Sequence, residues 1–70
     1  MRRIPVSSSM IKSIGYDLDH KILEIEFSDK TIYHYYSVPP NIHNNLMKAS
    51  SHGKYFHRHI KKRYRYKKLK

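Results

Sequence analysis

Seven cations in the last third of the chain are candidates to meet phosphates: Lys54, Arg58, Lys61, Lys62, Arg65, Lys67 and Lys68. They lie in KYFHRHIKKRYRYKKLK, residues 54–70, which holds nine Lys or Arg and no Asp or Glu. Side chains of this kind neutralise phosphates. Each contact releases counterions, with a salt slope of about −0.9 on duplex DNA and about −0.7 on single strands. Arg58 and Arg65 can also fork to phosphate oxygens or stack on bases. A second chemistry is available at Tyr33 and Tyr35. If both rings face solvent they form a stacking platform, worth about 1–3 kcal/mol per base.

Other chemistries find less support. His57 and His59 look like a chelating pair, but on a helix they point about 160° apart. They have no Cys or acidic neighbour to complete a tetrahedral set, so no metal is expected. Glu24 and Glu26 would stand about 7 Å apart on one strand face, where cross-strand ion pairs explain them. Asp17 and Asp19 read as a turn pair. No nucleophile motif surrounds any Ser, and only Gly15 and Gly53 occur, too few for a phosphate-cradling loop. The expectation is a protein that is not an enzyme and needs no cofactor.

Composition narrows the class further. Seventy residues make one domain at most, with a core supplying on the order of 3–5 kcal/mol net. There is no cysteine, which removes disulfides, thiolate metal sites and Cys nucleophiles. The net charge is +10, from fifteen basic and five acidic residues. A polyanionic partner would relieve that self-repulsion. MRRIPVSSSMIKS lacks the apolar run of a signal peptide, and no stretch is long enough to span a bilayer. A cytoplasmic protein is expected.

The elements that must position these residues follow from periodicity. Residues 1–8 read as a flexible arm. Residues 9–16 alternate and predict a strand. KILEIEFS (21–28) is the clearest strand, with Leu23, Ile25 and Phe27 on one side and Ile22, Glu24 and Glu26 on the other. TIYHYYSV (31–38) is β-branched and aromatic, a third strand. Pro39 and Pro40 stop the sheet, and Pro40 suits the first position of a helix running to about Ala49. Ser51 can cap a second helix. Stepping 100° per residue from Phe56 puts Ile60 and Arg63 near one side and Lys54, Arg58, Lys61 and Arg65 on the other. That predicts a helix with an apolar docking stripe and a basic face, followed by a fraying basic tail at 67–70. The expected fold is α+β: a three-stranded antiparallel meander, then two helices packed on one face, in a single domain at 9–66.

The orientation of Tyr33 and Tyr35 depends on the loop before them. A two- or four-residue loop at 28–31 puts them on the open face beside Glu24 and Glu26. A three-residue loop puts both in the core.

IGYD (14–17), LEIEF (23–27), YHYYSVP (33–39) and ASSHGKYFHRHIKKRY (49–64) resemble the KTSC domain. That small module is named for its place at the C-terminus of some lysyl-tRNA synthetases and also occurs alone in short bacterial and viral proteins. The resemblance covers about residues 8–66. Its most specific elements are Tyr33-x-Tyr35, Val38-Pro39 and the run from Ala49 through Ser51, Gly53, Tyr55 and Phe56 to Ile60. It implies an RNA-binding role, through the attachment to a tRNA ligase. The sequence departs from the family at Asp29-Lys30, where a glycine is usual, and in a more basic tail. Two functions are therefore expected as rivals. One is a nucleic-acid module, with RNA favoured over DNA, that meets phosphates through Lys54, Arg58, Lys61, Lys62, Arg65, Lys67 and Lys68. The other is a non-enzymatic protein-binding module, for instance a viral or phage factor, whose basic helix engages an acidic surface of a partner protein.

Overall fold

The computed structural model describes residues 2–70. Its elements run β1 (Arg3–Pro5), β2 (Ile11–Asp17), β3 (Ile22–Phe27), β4 (Ile32–Tyr35), α1 (Pro40–Lys48), α2 (His52–His59) and β5 (Tyr66–Lys68). The strands form one antiparallel sheet in the order β1-β2-β3-β4-β5. The fold is α+β with two helices, but the sheet has five strands where three were expected. Both extra strands come from the segments read as arm and tail. Among the described residues no helix is long and apolar enough to cross a membrane.

Period-two alternation builds the centre of the sheet. On β3, Leu23 and Ile25 are fully buried toward the helices, while Glu24 and Glu26 take the opposite face. Ile14 stands opposite Ile25 and Tyr16 opposite Leu23, so β2 shares that face. The register shifts between Ile11 and Ser13, a bulge that leaves Ile11 opposite Phe27 and in the core.

The β3–β4 connection decides the tyrosines. The Phe27 N–H donates to Thr31 O at 2.9 Å, and the Lys30 N–H returns to Phe27 O at 2.9 Å, which leaves a three-residue loop. Lys30 sits at φ 74, in the left-handed region where such a loop normally wants glycine. The odd loop length places Tyr33 opposite Ile25 and Tyr35 opposite Leu23. Both therefore lie on the helix-covered face.

The helices close that face. The Val38 N–H donates to Lys21 O, and the Tyr16 hydroxyl donates to Val38 O, which fixes where the chain leaves the sheet. Pro40 then starts α1 without needing its missing N–H. Leu46 buries α1, and Tyr16 stacks on His43 at 4.5 Å. Ser51 caps α2 by accepting from the Lys54 N–H at 3.2 Å. Phe56 packs edge-to-face on Phe27 and Tyr35, both with ring centroids 5.4 Å away.

α2 ends at His59, short of the expected helix through Arg65. The N–H groups of Ile60 and Lys61 both donate to Phe56 O, at 3.0 and 2.9 Å, so the last turn widens and closes. The chain then reverses, and β5 pairs with β4. The physical reason is the open edge of β4. β5 satisfies its backbone groups, and Tyr66 packs on Tyr33 and Tyr35 with centroids 5.7 and 5.9 Å apart. The alternation in Tyr64-Arg65-Tyr66-Lys67 was the signal for a strand. At the other edge β1 pairs with β2 through only three residues, one of them Pro5, too few to show a period. Proline on one edge and lysines on the other discourage further strand addition.

Candidate nucleic-acid interface

Two concave regions meet along α2 and residues 7–10. The larger, ≈ 970 Å³, lies between Ser7–Ser9 and the start of α2, and Ser51, Lys54 and Arg58 line it. No carboxylate lines it. Lys54 and Arg58 are one helical turn apart, so their charges share one side of α2. The Ser8 hydroxyl accepts from the N–H groups of Met10 and Ile11, both at 3.2 Å, and turns the segment toward the helix. Met10 packs against Gly53. A Cβ there would stand 3.1 Å from Met10 Cε.

The smaller region, ≈ 480 Å³, is aromatic. Phe27, Tyr33, Tyr35, Phe56 and Met10 line it, with Asp29, Thr31 and Lys61 also on its walls. Ser9, Met10 and His57 border both regions, so the two are continuous. Hydrogen bonds from the Thr31 hydroxyl and N–H hold the Asp29 carboxyl below the usual carboxylate range, and the charge of Lys68 adds to this.

All seven expected phosphate-binding cations are exposed. They do not share one helix face. Lys54 and Arg58 are on α2, Lys61 and Lys62 in the turn after it, Arg65 just before β5. Lys68 stands opposite Tyr33, on the helix side of the sheet. Lys67 stands opposite His34 and points to the other face, away from the others on β5.

The carboxylates are paired elsewhere. Among the described residues the ion pairs are Arg3–Glu24 at 2.6 Å, Arg3–Glu26 at 3.7 Å, His20–Asp17 at 2.9 Å and His34–Glu24 at 2.7 Å. None involves a cation of residues 54–70. Burial pushes the Glu24 carboxyl up, but hydrogen bonds from His34 and Arg3 outweigh it, so Glu24 lies below its ordinary range.

Of the two orientations open to Tyr33 and Tyr35, the three-residue loop gives the one toward the helices. Tyr35 is 4 % exposed, and burial pushes its phenol up, so it offers no open stacking face. Tyr33 is half-buried, packed between Phe27 and Tyr66, and lines the aromatic region. Sequence reasoning missed the lining by Ser7–Ser9, Met10 and Phe27. The serine run carried no period, and the tertiary approach of residues 7–10 to α2 has no local signature. Among the described residues, no group of three His, Cys, Asp or Glu side chains is arranged to hold a metal.

The model of the KTSC domain matches residues 7–64. An uncharacterized protein of Stutzerimonas stutzeri is 42% identical over 67 residues, 94% of each chain. A lysine–tRNA ligase of Nostoc punctiforme is 34% identical over 61 residues, which span 87% of this chain and 11% of the ligase. The crystal structure of a KTSC domain protein from Yersinia pestis is 45% identical and superposes with a TM-score of 0.96, covering 99% of this chain and 97% of that one.

Proposed function

The chain belongs to the KTSC domain family, and from that premise we propose that it is a small RNA-binding module. In this reading it meets phosphates through Lys54, Arg58, Lys61, Lys62, Arg65 and Lys68, inside the cell, without catalysis and without a cofactor. The observation that carries it is the segregation of charge. Nine cations gather in residues 54–70, while the carboxylates that pair do so with Arg3, His20 and His34. A merely solvated surface normally interleaves the two signs. The similar segment of a lysine–tRNA ligase supports RNA over DNA. Recognition of this kind is by phosphate and shape, with little sequence readout.

The test is fluorescence anisotropy with labelled RNA over a range of salt. Affinity should fall with a slope of about −0.7 per phosphate contact on single strands. Changing Arg58, Lys61 and Arg65 together to Glu should abolish binding while the thermal melt shows a folded domain. If neither RNA nor DNA binds below about 100 µM in about 50 mM salt, the proposal fails. Binding to an acidic protein that an excess of unrelated RNA does not displace would favour the rival reading.

A further inference from the structure

We propose that the aromatic region between α2 and the β3–β4 turn holds one unpaired nucleobase, while the continuous polar groove carries the neighbouring phosphates. The inference rests on the RNA-binding reading and divides its work between two surfaces. The division follows from charge. Asp29 stands on the wall of the aromatic region, and both protein hydrogen bonds to it fall on Oδ1. A carboxylate repels a phosphate but accepts readily from a base N–H or amino group. The polar groove has no carboxylate and offers Lys54 and Arg58 instead.

The aromatic region also suits a base in form. It is an open, shallow region of ≈ 480 Å³, with room for one base laid against its wall. Phe27 is held by edge contacts, 5.5 Å from Tyr33 and 5.4 Å from Phe56, so the half-buried Phe27 and Tyr33 can meet a base while the buried Phe56 backs them. Rings already locked in place lose little freedom when a base docks. Lys61 lines the same region, where it can meet the phosphate attached to the docked nucleotide. Because Ser9, Met10 and His57 border both regions, one strand can run from the groove into the cleft without leaving the surface. A duplex cannot deliver an unpaired base there, so the site selects single strands.

The experiment measures the affinity of the unaltered protein for three labelled RNAs of equal length, about ten nucleotides: a single strand, a fully paired duplex, and an abasic ribose-phosphate chain. The single strand should bind about tenfold or more tightly than either of the others, the size expected of one stacked base. Equal affinity for all three overturns the base site and leaves phosphate-driven RNA binding standing. No binding to any of them overturns both readings. Tyr33→Leu and Phe27→Leu, checked for folding by thermal melt, should bring the intact strand down to the abasic level and leave abasic binding unchanged. An unaltered preference for the intact strand in both folded variants also overturns the site.

Discussion

Arg3 and Glu24 meet across an intervening strand: the guanidinium donates to Glu24 Oε2 at 2.6 Å, passing over Gly15. Gly15 is the register partner of both and contributes no side chain to the row. The row continues to His34 and Lys67, so one line of residues crosses all five strands. β1 has only three residues, and this pair ties it to the centre of the sheet. Arg3→Ala should cost about 1–2 kcal/mol, the loss of a charge-assisted bond to a mostly buried carboxylate. Urea denaturation would measure it, and amide exchange of Val6, which donates to Lys12 O, should quicken selectively.

Acid should weaken the fold through the same carboxylate. Although burial raises Glu24, His34 and Arg3 hold it below its unfolded value. A depressed carboxyl contributes stability that is present above the unfolded pKa, about 4.3, and lost as pH falls through the folded pKa. The melting temperature should therefore drop below about pH 4. Glu24→Gln should flatten that part of the profile, as followed by circular dichroism. An equally steep profile in the variant would show that Glu24 is not the group responsible.

Lys30 carries a left-handed backbone that costs a side chain roughly 1 kcal/mol. Lys30→Gly relieves it but loosens the unfolded chain, which offsets part of the gain. A net stabilisation of about 0.5–1 kcal/mol is expected from denaturant titration. A loss of stability would mean that the lysine side chain makes a compensating contact.

β5 shields the edge of β4 and covers Tyr33 and Tyr35 with Tyr66. Deleting residues 66–70 should leave a folded domain that associates through the bared strand, with a mass that rises with concentration in analytical ultracentrifugation. A strictly monomeric, equally stable truncation would show that the edge needs no cover.

Two adjacent lysines should differ in function. Lys68 shares the helix side of the sheet with Tyr33, while Lys67 points to the other face beside His34. Lys68→Ala should weaken RNA binding about two- to threefold at low salt and make the salt slope shallower by about 0.7. Lys67→Ala should leave both nearly unchanged. Equal effects would place the phosphates along the edge strand rather than on the helix side.

The chain's own pattern was enough to determine β2, β3, β4, α1 and the start of α2, because each signal there is local. Leu23, Ile25 and Phe27 alternate, Pro39-Pro40 ends the sheet, and Ser51 precedes an apolar stripe. Charge was equally legible, since nine cations without a carboxylate in residues 54–70 need no coordinates to be counted. The tertiary structure alone decided the rest. β1 and β5 exist because β2 and β4 offer unfilled edges, and a three-residue segment has little preference until such an edge is present. Tyr33 and Tyr35 turned inward because one loop residue more or less inverts a whole strand, a choice set by backbone hydrogen bonds at Phe27 rather than by the tyrosines. The aromatic region beside α2 joins residues from 9 to 61, and only folding brings chain segments that far apart into one wall.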